Sequence, residues 1–111
     1  MPSITSPSIT SPSDCQTVIT TFDTTPGTCQ DLLDALQNAY TAFISKQAGF
    51  IGAGLHVNDA QTRIAIYSQW RRREDFQAML RSDEMRDHHR RFNALCRSFE
   101  PVMYDVASVY G

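Results

Sequence analysis

His56 closely follows a short stretch of glycine and alanine residues, which have small side chains or none. Residues 50–57 read FIGAGLHV, so that simple alternation puts Phe50, Gly52, Gly54 and His56 on one face of a strand. Glycines inside a strand often mark the close approach of another group. An imidazole titrates near neutral pH and can accept a proton from a phenol or an activated C–H group. We therefore interpret His56 as the candidate proton acceptor, with a purely local hydrogen-bonding role as the alternative.

Trp70 and Arg86 are the other two candidate catalytic residues. Trp70 is the only tryptophan, and it stands where a strand gives way to the polar run at 71–75. An indole there would wall a cavity between sheet and helices and offer its N–H as a donor, although a place in the core explains it equally well. Arg86 is a candidate clamp for a developing phenolate, or else an ordinary surface arginine.

Strands and helices alternate along the part of the chain that must position these residues. Four segments have the alternation or the β-branched content of strands: 15–22, 50–57, 63–70 and 102–110. The first helix ends near Lys46. The second helical region is split by a cap at Ser82 and stopped by Pro101. A turn at Asn58 joins the two middle strands into a hairpin.

The order βαββαβ predicts a ferredoxin-like α+β fold with one antiparallel sheet. Two helices can cover only one face of that sheet, and the other face also carries apolar residues. An uncovered face of this kind would form a large apolar patch. We therefore predict a homodimer in which two sheets pack face to face.

Composition narrows the possible classes of protein. The 111 residues suit one folded domain, predicted over 15–111, after a disordered tail at 1–14 with the repeat PSITSPSITSPS. A net charge of −2 gives no overall attraction to nucleic acid. No apolar run approaches the ~18 residues that span a membrane, and no secretory signal is recognisable. Three widely spaced cysteines suggest neither disulfides nor a metal site, and favour the cytoplasm.

Three motifs, in this order, resemble those of the antibiotic biosynthesis monooxygenase superfamily. They are AGF at 48–50, YSQW at 67–70 with Phe76 six residues on, and LRSDEMRDHH at 80–89. The resemblance covers residues 15–110 and implies a dimeric α/β barrel. One branch of the superfamily consists of cofactor-free oxygenases that convert anthrones of polyketide origin to quinones. Other branches degrade haem, or act as isomerases and quinol oxygenases.

The anthrone-oxidising branch, by resemblance, implies a proton relay and an aromatic wall at the histidine and tryptophan singled out above. That branch often has an asparagine four residues before the tryptophan and a tyrosine six after it, where this chain has Ile66 and Phe76. The polar contacts with the substrate, which those two side chains would otherwise make, would then come from Thr20, Tyr67 or Arg86. The resemblance implies a set of substrate-binding residues: Thr20, Ile66, Tyr67, Phe76, Met79 and His89.

The haem-degrading branch is the alternative within the superfamily. His89 matches the position of its axial haem ligand, but Thr20 and Met79 replace the asparagine and the second tryptophan of that branch. A non-catalytic module that binds a small ligand is a further alternative. The leading hypothesis is a monooxygenase that needs no cofactor and oxidises a polycyclic phenol or anthrone with O2. It requires a hollow large enough for a flat ring system, with the imidazole of His56 reaching into it.

Overall fold

The computed structural model describes residues 15–111, and the predicted tail at 1–14 lies outside the described residues. The strands are β1 (Gln16–Asp23), β2 (Phe50–Val57), β3 (Arg63–Trp70) and β4 (Ser98–Tyr104). The helices are α1 (Cys29–Ala42), α2 (Arg73–Arg81) and α3 (Asp83–Leu95), and a 3₁₀ turn (Ile44–Lys46) follows α1.

One antiparallel sheet holds all four strands in the order β2-β3-β1-β4. This arrangement confirms the ferredoxin-like α+β prediction. The predicted fourth strand at 102–110 was placed too late, since β4 begins at Ser98 and contains Pro101. Pro101 does not stop the preceding helix, which ends at Leu95. β4 is an edge strand, where a residue without an N–H is tolerated.

The core lies between the helices and one face of the sheet. Alternate residues of the central strands are buried there, among them Val18, Phe22 and Ile64. The ring of Phe22 stacks on Phe99 at a centroid distance of 5.1 Å and meets Phe92 edge-on at 5.9 Å. Burying a side chain of this size contributes roughly 1.5–3 kcal/mol. Within residues 15–111, no helix combines the length and apolar character needed to cross a bilayer.

Ser82 separates α2 from α3, as predicted. Its hydroxyl donates to the carbonyl of Met79 at 2.8 Å and accepts from the backbone N–H of Met85 at 3.2 Å. The same side chain therefore closes one helix and caps the next. This junction turns the chain so that both α2 and α3 present apolar residues to the sheet.

An irregularity in β2 decides which of its residues face the helices. Phe50 pairs with Trp70, but the next pair in the register is Gly52 with Gln69, so that Ile51 is an extra residue. Such a bulge reverses the alternation of the strand beyond it. Phe50 consequently lies on the helix side of the sheet, whereas Gly52 lies on the opposite side.

Candidate functional site

A cavity lies between the sheet and the three helices. Its floor comes from β1, β3 and β4, and α1 and α3 form two of its walls. The remaining side chains come from α2 and from Ile44 of the 3₁₀ turn. Three of its lining residues are polar: Thr20 on β1, Tyr40 on α1 and His89 on α3. The other lining side chains are apolar. An apolar hollow with a few polar groups from separate elements is typical of a small-molecule site.

Five of the nine predicted site residues line this cavity: Thr20, Ile66, Phe76, Met79 and His89. Thr20 and Ile66 are cross-strand partners, which places both on the helix side of the sheet. Phe76 and Met79 are buried on α2. Their roles in binding remain predictions, but the structure brings all five residues together.

His56 does not reach the cavity. It pairs with Ala65 on the sheet face turned away from the helices, and it is exposed. Beyond the bulge at Ile51, Leu55 takes the place on the helix side, opposite Ile66. The expectation that the imidazole of His56 projects into the hollow is therefore wrong.

Tyr67 and Arg86 also lie outside the cavity. Tyr67 is on the sheet face turned away from the helices, here called the open face, where its hydroxyl accepts a hydrogen bond from Gln69 Nε2 at 3.0 Å. Arg86 lies on the surface of α3 with 70% of its side chain exposed, and it pairs with Asp83 at 3.3 Å. The expectation that Arg86 clamps an anion inside the cavity is not met, because its guanidinium points to solvent.

Trp70 stands one ring behind the cavity wall. It is fully buried, with its ring centroid 5.7 Å from that of Phe76, which lines the cavity, and 5.3 Å from that of Phe50. Its Nε1–H has no hydrogen-bond partner among residues 15–111. Leaving such a donor buried and unpaired costs about 1–3 kcal/mol. The indole thus holds an unused donor close to the cavity.

His89 is the imidazole that the structure brings to the cavity. Its ring packs against Phe99 at 5.5 Å and Phe92 at 6.1 Å. Burial lowers the pKa of His89 below the usual value for histidine, and the neighbouring His88 lowers it further. At neutral pH the ring is therefore uncharged and able to accept a proton.

Tyr40 is a cavity residue that sequence reasoning missed. Burial raises the pKa of its phenol, so the hydroxyl stays protonated at neutral pH and is able to donate a hydrogen bond. No residue of the described chain forms a hydrogen bond with this hydroxyl. The sequence signal was a polar tip within the apolar stripe of α1, which also contains Leu36 and Ala39.

The cavity has a volume of about 30 Å³. That is room for one or two water molecules, whereas drug-sized ligands occupy pockets of roughly 300–1,000 Å³. The expectation of a preformed hollow for a flat ring system is therefore not met in this conformation. Unbranched side chains such as Met79 and Met85 line the cavity and adapt readily to a ligand. Within residues 15–111, no group of three or more acidic, histidine or cysteine side chains could hold a metal ion.

The antiparallel sheet and the helices on one of its faces, with an apolar cavity between them, define a class of small ferredoxin-like α+β proteins. The sequence model of one family in this class, described as "antibiotic biosynthesis monooxygenase", matches residues 16–91. The chain belongs to this family. A search of curated proteins gave no match.

Several solved structures share the fold. SnoaB from Streptomyces nogalater, described as a cofactor-independent oxygenase, is 18% identical with a TM-score of 0.77, covering 86% of this chain and 96% of that one. An anthrone oxidase-like protein is 20% identical with a TM-score of 0.78, covering 85% of this chain and 40% of that one. A putative antibiotic biosynthesis monooxygenase from Nitrosomonas europaea is 13% identical with a TM-score of 0.75, covering 88% and 95%.

Proposed function

We propose that this protein is a cofactor-independent monooxygenase that oxidises a small aromatic substrate, a polycyclic phenol or anthrone, with O2. The observation that carries the proposal is the position of His89, whose imidazole lines an apolar cavity and has a lowered pKa. Membership of the monooxygenase family supports the reaction type. The likeness to SnoaB, which is described as a cofactor-independent oxygenase, is consistent with the absence of a cofactor requirement.

In this mechanism the substrate supplies the electrons and the protein supplies a base in a dry environment. His89 accepts a proton from the reacting carbon of the anthrone, and the resulting carbanion transfers one electron to O2. The substrate radical and superoxide combine into a C–O bond. The protonated His89 returns its proton to the peroxide anion, and the hydroperoxide then loses water with the second hydrogen of the reacting carbon, which breaks the O–O bond and leaves a carbonyl group. One oxygen atom ends in the quinone and the other in water, so no external reductant is needed.

Oxygen consumption with the anthrone dithranol tests the proposal. The protein is expected to raise the rate well above autoxidation, and His89→Ala is expected to lower that gain by about 100-fold or more. His88→Ala removes the neighbour that helps to lower the pKa of His89 but no residue that lines the cavity, so it is expected to lower the rate far less than His89→Ala. His56→Ala is expected to leave the rate unchanged. A rate that never exceeds autoxidation would refute the proposal.

We also propose that two copies of the chain pack through the open faces of their sheets. Ile19, Tyr67 and Val102 are cross-strand neighbours on this face, and all three are only partly buried. Ile19→Arg is expected to convert a dimer into a monomer in analytical ultracentrifugation. The proposed location is the cytoplasm, in keeping with the free thiols of Cys29 and Cys96.

Haem binding is the second candidate function, because His89 lines the cavity. Titration with hemin distinguishes the two candidates. A Soret shift that is lost in His89→Ala would favour haem binding, whereas no shift, or one that survives the substitution, would exclude His89 as a haem ligand.

A further inference from the structure

A surface groove lies beside the cavity, between the C-terminal part of α1 and the edge strand β2. Its volume is about 280 Å³. Thr41 and Ser45 line it from the helical side, and Phe50, Ile51 and Ala53 line it from β2. The bulge of β2 therefore forms part of its wall. The groove is close to the size of a small-molecule site, which the cavity alone is not.

Tyr40 lines both the groove and the cavity. Its ring contacts Phe50 at a centroid distance of 6.2 Å. Its hydroxyl forms no hydrogen bond within residues 15–111, so that turning the side chain breaks none there. Tyr40 also lies two residues before the end of α1, where a helix yields more easily than in its middle. Tyr40 is thus the residue that the linings of the two spaces share, and its ring is held there by packing.

We propose that the groove and the cavity become one substrate site when Tyr40 turns aside, and that the Tyr40 hydroxyl donates a hydrogen bond to an oxygen of a planar tricyclic substrate. This inference rests on the proposed function of the cavity. The combined space accommodates rings that the closed cavity cannot. Tyr40 and His89 project from different helices, so one can hold a substrate oxygen while the other faces the reacting carbon.

Binding of danthron, a stable tricyclic quinone, tests the inference without requiring any reaction. Trp70 is the only tryptophan, so quenching of its emission reports occupancy of the neighbouring site. Ala53→Leu and Thr41→Phe fill the groove from its two sides and are each expected to weaken binding by about tenfold or more. Ala60→Leu, at an exposed position in the loop after β2, is the matched control and should leave binding unchanged.

Tyr40→Phe removes the hydroxyl and keeps the ring. Loss of one hydrogen bond predicts binding that is about fivefold to tenfold weaker. Circular dichroism checks that each variant is folded, and Thr41→Phe, which changes an exposed helix position, remains a test even if Ala53→Leu unfolds.

Three outcomes would overturn the inference. They are no binding of danthron by the unmodified protein, unchanged binding in folded groove variants, and, for the donor role, unchanged binding in Tyr40→Phe. The expected pattern of binding could appear while dithranol oxidation stays at the autoxidation rate. In that case the proposed function fails, and the inference that the groove and the cavity form one binding site stands.

Discussion

Replacing Gly49 by alanine should be among the more damaging single substitutions at the surface of this protein. Gly49 precedes β2 and has a φ of 85°. Its carbonyl accepts a hydrogen bond of 2.7 Å from the backbone of Arg71, just beyond β3. A Cβ at this position would overlap the carboxylate of Asp75 and lie 2.6 Å from the Cβ of Asp75. The chain at 49 and the first turn of α2 cannot both keep their places.

Two costs contribute to the expected loss of stability. Holding alanine in the left-handed region costs roughly 1–2 kcal/mol. Relieving the overlap with Asp75 is a case of overpacking, which costs typically 1–3 kcal/mol. The sum is about 3 kcal/mol, a large part of the roughly 5–15 kcal/mol by which a domain is stable. For a domain of this size, that corresponds to a fall in Tm of more than about 10 °C.

Urea unfolding followed by Trp70 emission measures this loss. Gly27→Ala is the matched control, because its added Cβ would meet nothing closer than Thr25 Oγ1 at 3.9 Å. That variant should stay within about 0.5 kcal/mol of the unmodified protein. In an Asp75→Gly background, which removes the Cβ of Asp75 as well as its carboxylate, the cost of Gly49→Ala should fall to the backbone contribution. An unchanged cost in that background would refute the overlap, and an unchanged midpoint for Gly49→Ala alone would refute the whole reasoning.

Three further predictions concern the core and the cavity. Ser82→Ala removes both hydrogen bonds at the junction of α2 and α3 and should lower the free energy of unfolding by about 1 kcal/mol, measured in urea. The folded pKa of His89 is lowered, so the unfolded chain binds its proton more readily, and stability should fall as the pH drops below the usual histidine value of 6.5. His89→Leu should flatten this fall, and an equally steep fall would contradict the assignment. Phe22→Ala should cost about 3–5 kcal/mol, since Phe22 stacks on Phe99 in the core, and a loss below 1 kcal/mol would contradict that packing.

Local signals predicted the elements of the fold well. The two middle strands have the bounds that alternation predicted, and the turn between them is held by Asn58, whose Oδ1 accepts from the N–H groups of Thr62 and Arg63, each at 2.9 Å. The cap at Ser82 was equally predictable, because its hydroxyl and the backbone groups that it bonds, the Met79 carbonyl and the Met85 N–H, lie within one turn of chain. Both features depend on residues that are close in sequence.

The side of the sheet on which each β2 side chain lies could not be predicted in the same way. The bulge at Ile51 depends on how β2 pairs with β3, and nothing in FIGAGLHV states that Ile51 is skipped in the register. One skipped residue moved His56 to the opposite face of the sheet. Tyr40 was missed for a related reason. An apolar stripe shows which residues of a helix face the core, but not which of them borders an empty space.

The bulge also changes which part of the molecule must carry the chemistry. With His56 on the open face, the cavity floor offers one polar side chain, Thr20, and the proposed base and donor come from helices instead. The distance between Tyr40 and His89 is then set by how α1 packs against α3, not by strand register. Helix packing adjusts to side-chain size more readily than a hydrogen-bonded sheet does. Substitutions of residues at the interface between α1 and α3 should therefore change the rate of catalysis even where they leave the fold intact.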